Sequence, residues 1–328
     1  MCPILFHVPL WPLLAAIGLT VGLWIAERLP LAGWRKALVC IAGALAALAV
    51  GYPPGWLGRS LPVQGYGTSM LGGFLLGVWM ARRRSPMLGI EPRHCTYLGL
   101  WSVLGGLIGA RIFHVVCHWP DYDPSGMLGW RAVCKMAALW EGGLVFFGAL
   151  IAGPLSAMLY CACNGLPVLA FVDLVIPGLI AGQALGRLGC LMRGCCFGRL
   201  SDGPLAISFP PESEVFIHQE LHGLIPPDAS HSLAVVPVQV YASIGAALTG
   251  AFLYAYWPRR RFDGEIVGWV FLMAAVTRFF EEFLRNEPPA FPAWSASLTI
   301  AQWFSFVLIA IGALWLWHFG RRRKLYRP

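Results

Sequence analysis

The sequence predicts an all-α polytopic membrane protein with about nine transmembrane helices. Of its 328 residues, 58% are hydrophobic and only 12% are charged, whereas soluble chains have about 25% charged residues. Nine apolar stretches have the length that crosses a bilayer, about 17 to 25 residues each. A single water-soluble domain could not bury this much apolar surface. The composition also excludes a disordered chain and a small disulfide-rich fold.

The apolar stretches define the predicted organisation. They lie at about 10–26, 36–52, 64–81, 96–116, 139–161, 168–186, 238–257, 265–284 and 298–319. Two domains follow: an N-terminal two-helix membrane extension at 1–58 and a larger membrane domain at 59–328. The larger domain includes a long polar segment at 187–237, which we expect to form a small extracytoplasmic head. The first apolar run lacks a basic leader and a small-residue cleavage site, so we expect no removable signal peptide.

The basic residues predict the orientation of the chain. The net charge is +8, and arginines occur in runs at 82–84, 259–261 and 321–323. If the N-terminus lies outside and the spans alternate, these runs all fall in inside loops or the C-terminal tail, as the positive-inside rule requires. The prediction is therefore N-terminus out and C-terminus in. No aromatic-interleaved basic surface accompanies the runs, so nucleic-acid binding is not expected.

Several ionisable residues fall within or beside predicted spans, where charge is costly and usually functional. The predicted orientation places most of them in the outer half of the membrane. They are Arg111, Glu141, Arg187, Gln302 and the 278–285 cluster, which consists of Arg278, Glu281, Glu282 and Arg285. Arginine grips phosphate oxygens with a planar fork of donors. We therefore expect one outer-leaflet pocket that binds a phospholipid headgroup. Two structural ion pairs at the end of a helix are the alternative reading of the 278–285 cluster.

The segments Trp140–Gly148 and Gly186–Gly189 resemble the prolipoprotein diacylglyceryl transferase family. The resemblance covers roughly 62–320 and implies an enzyme of the bacterial inner membrane with its active site toward the outer leaflet. Such enzymes move a diacylglyceryl group from phosphatidylglycerol to the lipobox cysteine thiol of a prolipoprotein. The first two spans extend beyond the family's usual seven. The implied partners are phosphatidylglycerol, a lipobox peptide and membrane lipids, and no cofactor is expected.

The resemblance also implies site residues. The expected catalytic residues are Arg187, Arg278, Glu282 and Tyr66. His114 is added to them because of its own position, as a histidine at the outer end of the fourth predicted span. The expected substrate-binding residues are Arg111, Gly189, Gly194, Gly198, Gln239, Tyr241, Arg285 and Gln302. An Asp-x-x-x-Pro element of the family corresponds to Asp173 and Pro177. In this set Arg187 and Arg278 would hold the departing phosphate, Glu282 would orient Arg278, and Tyr66 would hydrogen-bond the headgroup. His114 or Glu282 would accept the thiol proton.

The chain departs from the family pattern at several positions. The family's histidine, a candidate general base, is Phe147 here, and Cys190, Arg193 and Cys195 replace polar residues of the signature. Val236 and Ala242 replace a histidine and a glutamate. Two alternatives therefore stay open beside the transferase: a divergent paralogue with another acceptor, and a non-catalytic phospholipid-binding factor. A transporter is disfavoured because no internal repeat is found.

The cysteines allow more than one interpretation. Cys190, Cys195 and Cys196 lie in one turn and could form a disulfide, provide an activated thiol or fill a tight turn. No metal site is expected, because no CxxC or HxxxH pair completes a four-ligand zinc set. Cys117 and Cys134 share a predicted outer loop and are candidates for a second disulfide.

Overall fold

The structure is a computed structural model that describes residues 4–9, 60–122, 135–136, 143–285 and 298–321. The chain divides into two compact units, Met1–Thr68 and Ser69–Pro328. The described part of the first unit contains two strands, β1 (Ile4–Pro9) and β2 (Ser60–Gln64), paired antiparallel with an irregularity between Ile4 and Phe6. This short sheet differs from the all-α fold that the sequence predicts. The predicted spans at 10–26 and 36–52 lie outside the described residues.

Helices make up most of the described chain. They are α1 (Gly65–Arg84), α2 (Pro92–Cys117), α3 (Trp119–Tyr122), α4 (Phe146–Cys163), α5 (Val168–Arg193), α6 (Glu214–Leu221), α7 (Val238–Tyr256), α8 (Glu265–Glu282) and α9 (Ile300–Arg321). Proline immediately precedes or opens α2, α5 and α7. These residues suit helix starts because proline has a fixed φ and its missing N–H is not needed there.

Five of these helices are long and apolar enough to cross a membrane: α2, α4, α5, α7 with the short turn that follows it, and α9. Their exposed faces are apolar. In α4, for example, Phe146, Ile151, Leu155 and Leu159 are each more than 60% exposed. Surfaces of this kind face lipid rather than water. The prediction of a multi-pass membrane protein is thereby confirmed, whereas nine spans and the orientation stay predictions.

Helices α5 and α8 run parallel to each other. Near their starts, the carboxylate of Asp173 on α5 accepts hydrogen bonds from the backbone N–H groups of Gly264 at 2.7 Å and Val267 at 3.2 Å. Near their ends, Glu281 of α8 interacts electrostatically with Arg187 of α5. Asp173 is fully buried, so it caps the first turn of α8 from a neighbouring helix. This contact gives the Asp-x-x-x-Pro element a structural function at the end opposite to Arg187.

Helices α7 and α9 run in the opposite direction. The start of α7 meets the end of α5, and Gly250, further along α7, lies against Ala181. The start of α9 meets the end of α8 through Thr299, while Trp315 donates a hydrogen bond from Nε1 to the carbonyl oxygen of Gly264 at 2.8 Å. The ends of α5 and α8 and the starts of α7 and α9 therefore lie at one end of the helical layer.

Close backbone contacts hold α1 against α5. A Cβ atom on Gly73 would lie 2.5 Å from the carbonyl oxygen of Gly182, and one on Gly178 would lie 2.7 Å from that of Gly77. Small residues at such crossings let two helices approach closely in a membrane. The crossing fixes the position of α1 beside the middle of α5.

A small head follows α5. Phe209, Val215 and Val235 form its buried core, and Val235 bridges to Leu200 and Ile207. The side chain of Ser213 caps α6 by accepting a hydrogen bond from the N–H of Phe216. The head begins at Gly194 rather than at residue 187, because α5 continues to Arg193.

We expect Gly73→Ala to destabilise the protein, because the added methyl group meets backbone atoms that cannot rotate away. Overpacking of this kind costs about 1–3 kcal/mol. The matched control is Gly67→Ala in the same helix, where a Cβ atom would meet no described atom within 4 Å. Thermal unfolding of the detergent-purified variants measures the effect. Equal unfolding midpoints for the two variants would contradict the inferred crossing.

Candidate functional site

The turn after α5 is the centre of the candidate site. Gly194 ends the helix with φ +72° and donates its N–H to the carbonyl oxygen of Leu191 at 3.1 Å. A Cβ atom at Gly194 would lie 2.9 Å from the Cβ of Ser213. Both the positive φ and the close contact require glycine. Gly189, one turn earlier, is buried within α5.

Three chain segments meet at Gly198. Its N–H donates to the carbonyl oxygen of Val236 at 3.0 Å, and the N–H of Arg199 donates to that of Leu284 at 2.9 Å. A Cβ atom on Gly198 would lie 2.5 Å from the Leu284 oxygen. No larger residue fits, so the glycines at 194 and 198 shape the turn, and contact of either with a substrate stays a prediction.

Gln239 fastens the start of α7 to the same turn. It is fully buried, and its Nε2 donates to the carbonyl oxygen of Cys195 at 2.7 Å. One turn later, Ser243 donates from Oγ to the carbonyl oxygen of Ala184 in α5 at 2.9 Å. Tyr241, which was predicted to bind substrate, lies on α7 with 37% of its surface exposed. At the start of α7, Gln239 therefore fixes the turn that follows α5, whereas Tyr241 faces outward.

Arginines from two chain segments gather beside this turn. Glu281 interacts electrostatically with Arg187 of α5 and with Arg278 and Arg285 at the end of α8. Arg187 and Arg285 also interact electrostatically with the thiol of Cys196. We call Arg187, Arg278 and Arg285 the arginine cluster. The structure thus brings together three of the arginines that sequence reasoning assigned to the site, including Arg187 and Arg278, which were predicted to bind phosphate.

Glu282 holds one member of the arginine cluster in place. Its Oε2 lies 2.8 Å from Nη2 of Arg278, and its Oε1 accepts a hydrogen bond from Oγ1 of Thr299 at 2.9 Å. Glu282 is only 4% exposed, whereas the Arg278 side chain is 34% exposed. The guanidinium group is therefore anchored from the buried side and accessible from the other.

Thr299 is a residue that sequence reasoning missed. Its backbone N–H donates to Oε1 of Gln302 at 3.0 Å, and its Oγ1 accepts from the N–H of Gln302 at 3.3 Å. This reciprocal pair is a capping arrangement at the start of α9. A threonine three residues before a glutamine was the available signal. Gln302 is buried and holds Thr299 in place. It therefore acts on Glu282 only through Thr299.

Arg111 belongs to a second polar group at the end of α2. It is 6% exposed, and its guanidinium group donates to the backbone carbonyl oxygens of Lys135, Met136 and Gly143 at 2.7, 2.8 and 3.2 Å. The described hydrogen bonds of Arg111 are those of a residue that fastens the segment before α4. Binding of phosphate by Arg111 stays a prediction.

His114 lies beside Arg111, one turn further along α2. Its Nδ1 is 3.2 Å from the hydroxyl of Tyr122, and its ring stacks on His118 at a centroid distance of 4.3 Å. A Cβ atom on Gly143 would lie 2.8 Å from Nε2 of His114, so the imidazole packs against the main chain that precedes α4. Glu141, from the same predicted pocket, lies outside the described residues.

Two further predicted positions have defined places. Tyr66 is half-buried in the first turn of α1, within the first unit, and its contact with a headgroup stays a prediction. Phe147 is 61% exposed in the first turn of α4, where the family pattern has histidine.

The structure describes four of the five cysteines that were candidates for disulfides. Cys190, Cys195 and Cys196 are free thiols, and their sulfur atoms all lie within 4.8 Å of one another. Cys117 is a free and exposed thiol, while Cys134 lies outside the described residues. Formation of either disulfide stays a prediction.

A cavity of about 320 Å³ lies at the other end of the helices, between the start of α8 and the end of α9. Arg261, Glu265 and Trp317 are among its lining residues. Arg261 pairs with Glu265 at 3.2 Å. The cavity is far from the arginine cluster, which lies at the other end of α8, and we do not assign it to the candidate site.

Comparison with known proteins agrees with this arrangement. A family model described as prolipoprotein diacylglyceryl transferase matches residues 56–318. Proteins named phosphatidylglycerol–prolipoprotein diacylglyceryl transferase are similar to the chain. The one from Clostridium tetani (strain Massachusetts / E88) is 27% identical over 264 residues, which are 80% of this chain and 96% of that protein.

Two other relatives carry similar names. A protein of Clostridium perfringens (strain 13 / Type A), named with the suffix 2, is 27% identical over 80% of this chain and 92% of its own length. A protein of Rhodopirellula baltica (strain DSM 10527 / NCIMB 13988 / SH1) is 36% identical over 49% of this chain and 32% of its own length. The family model covers most of the chain and includes every residue of the arginine cluster. The chain therefore belongs to the prolipoprotein diacylglyceryl transferase family.

Proposed function

We propose that this chain transfers a diacylglyceryl group from phosphatidylglycerol to the cysteine thiol of a prolipoprotein. The thiolate attacks the glyceryl carbon that carries the phosphate oxygen. A carbon–sulfur bond forms while the carbon–oxygen bond breaks, and the electron pair leaves with glycerol phosphate. The thiol proton passes to a base. The reaction therefore needs fixed positive charge at the departing phosphate and a proton acceptor near the thiol.

The single observation that carries the proposal is the arginine cluster with its anchor. Arg278 is held by buried Glu282, which is itself held by Thr299. A guanidinium group fixed in this way needs little reorganisation when negative charge grows on the phosphate, and preorganised charge is most effective in a water-poor site. Arg187 and Arg285 add positive charge from α5 and from the turn after α8.

Gln239 offers a further contact. Its Oε1 is buried and has no hydrogen-bond partner among the described residues. An unpaired buried acceptor costs about 1–3 kcal/mol, and a donor from a bound substrate would remove that cost. The hydroxyl groups of a glycerol headgroup are donors of this kind. This reading agrees with the predicted role of Gln239 in substrate binding.

Of the two candidate bases, the geometry favours His114. The carboxylate of Glu282 is already occupied by Thr299 and Arg278. His114 interacts through Nδ1 with Tyr122, so a hydrogen bond at one ring nitrogen fixes the role of the other. Glu282 is then a positioning residue, and His114 replaces the histidine that the family has at position 147.

The proposed setting is the bacterial inner membrane, with nine transmembrane helices, the N-terminus outside and the C-terminus inside. The described helices that correspond to spans three to nine alternate in direction, which supports an alternating path. The arginine cluster and the head would then face the outer leaflet, where phosphatidylglycerol and a translocated lipobox peptide can both reach them.

We expect Arg278→Lys to lower the rate of transfer more than lipid affinity. Lysine keeps the charge but loses the planar fork, and removal of one preorganised donor costs about 10²–10³ in turnover. Glu282→Gln should act in the same direction, because it removes the charge that orients Arg278. The measurement is transfer of labelled diacylglyceryl to a lipobox peptide, beside binding of phosphatidylglycerol.

Arg259→Lys is the matched control, because Arg259 is exposed at the opposite end of the helices. It should keep wild-type transfer. If the wild type binds lipid but transfers nothing to any lipobox peptide, the proposed reaction is contradicted. That result would favour a non-catalytic lipid-binding protein or a transferase with a different acceptor. Phe147, at the position of the family's histidine, is the reason to consider both alternatives.

We expect His114→Gln to lower turnover by about 10²–10⁴, the usual contribution of a general base. The acidic limb of the pH–rate profile should disappear with it, because that limb reports protonation of the base. His118→Gln is the control, since His118 stacks on His114 and is exposed. An unchanged pH profile in His114→Gln would assign the base elsewhere.

The orientation can be tested with two exposed native thiols, Cys117 at the end of α2 and Cys163 at the end of α4. We expect a membrane-impermeant maleimide to label Cys117 but not Cys163 in intact cells, using variants that keep one cysteine each. Both should react after the membrane is made permeable. Labelling of Cys163 alone in intact cells would reverse the proposed orientation.

A further inference from the structure

Three thiols converge in the turn after α5. The sulfur atoms of Cys190, Cys195 and Cys196 all lie within 4.8 Å of one another. Thiolate sulfurs bind zinc at about 2.3 Å. Three sulfurs around one such ion are therefore roughly 3.8–4.0 Å apart. The observed spacing differs from that of a three-thiolate metal site by small side-chain movements only.

The backbone is built to bring the thiols together. Cys196 has φ +58°, a left-handed conformation that non-glycine residues seldom adopt and that usually marks a functional constraint. Cys195 donates its N–H to the carbonyl oxygen of Cys190 at 3.1 Å and accepts the Gln239 side chain on its own carbonyl oxygen. Both ends of the turn are therefore fixed before any ion binds.

The burial of these thiols differs from that of cysteines that only fill space. Cys95 and Cys161, in α2 and α4, are buried, at 2% and 1% exposure. Cys190, Cys195 and Cys196 are each only partly buried. An ion from solution can therefore reach the three sulfur atoms.

Positive charge lies beside the three thiols. The guanidinium groups of Arg187 and Arg285 interact electrostatically with the Cys196 thiol. Metal ions bind the deprotonated form of cysteine. Two guanidinium groups also offset the negative charge that three thiolates would bring to one place.

We propose that Cys190, Cys195 and Cys196 form a three-thiolate site for one soft, thiophilic metal ion such as Zn²⁺. Soft thiolate ligands select such ions over Mg²⁺ or Ca²⁺. Water or a fourth ligand would complete the coordination of zinc. The inference departs from the expectation that the chain has no metal site, which rested on the lack of a four-residue ligand pattern. It is independent of the transfer reaction.

The experiment uses Cd²⁺ as a spectroscopic probe on the full-length, detergent-solubilised protein after reduction with a phosphine and removal of the reductant. We expect about one equivalent of Cd²⁺ to produce an ultraviolet thiolate-to-cadmium charge-transfer band, with competition by Zn²⁺ and none by Mg²⁺. Cys190→Ser, Cys195→Ser and Cys196→Ser should each lose the band or lower the affinity by at least about tenfold. Cys163→Ser is the matched control and should keep it.

A second measurement guards against serine variants that do not fold. Zn²⁺ should protect Cys190, Cys195 and Cys196 of the wild type from alkylation, as read by peptide mass, while Cys163 stays reactive. Absence of the band and of protection in the reduced wild type would overturn the inference. A band that survives in the three serine variants would overturn it too. Because neither readout involves lipid transfer, failure here leaves the proposed reaction intact, and loss of transfer leaves the metal site intact.

Discussion

The candidate site depends on the meeting of three chain segments at Gly198. The turn after α5, the residues before α7 and the residues after α8 are joined there by two backbone hydrogen bonds that leave no room for a Cβ atom. Through this junction Arg187 comes close to Arg278 and Arg285, although about a hundred residues separate them in the chain. Asp173 fixes the far ends of the same two helices. Contacts at both ends therefore fix the position of α5 along the axis of α8.

The charges around the arginine cluster explain why it can persist in an apolar protein. A buried carboxylate without a partner costs several kcal/mol in desolvation, and Glu282 avoids that cost through Arg278 and Thr299. Glu281 lies among all three arginines. The negative charge of the two carboxylates offsets the mutual repulsion of the arginines. The cluster is therefore stabilised by contacts within the protein.

Much of the helical layer could be predicted from the sequence, and the reason is physical. The seven predicted spans from 64 onward all coincide with helices, because a lipid environment requires long apolar helices and these leave a simple pattern. The pair Arg278 and Glu282 was also predictable, since residues four apart share a helix face. In both cases local sequence determines the outcome.

Other features required tertiary contacts that local sequence does not reveal. Asp173 looked like an intramembrane charge, but it caps another helix that begins about ninety residues later. The hydrogen bonds from Arg111 to backbone carbonyl oxygens of the segment before α4 could not be read from local sequence either. The three cysteines could be assigned to one turn from their spacing. Their common point of convergence depends on the left-handed backbone at Cys196.

Four helices terminate around the site, and their directions have an electrostatic consequence. Helices α5 and α8 end there, while α7 and α9 begin there. Each helix carries a macrodipole equivalent to about half a positive charge at its N-terminus and half a negative charge at its C-terminus. With two ends of each sign, these partial charges nearly cancel. The local electric field at the candidate site then depends mainly on its few arginine and glutamate side chains.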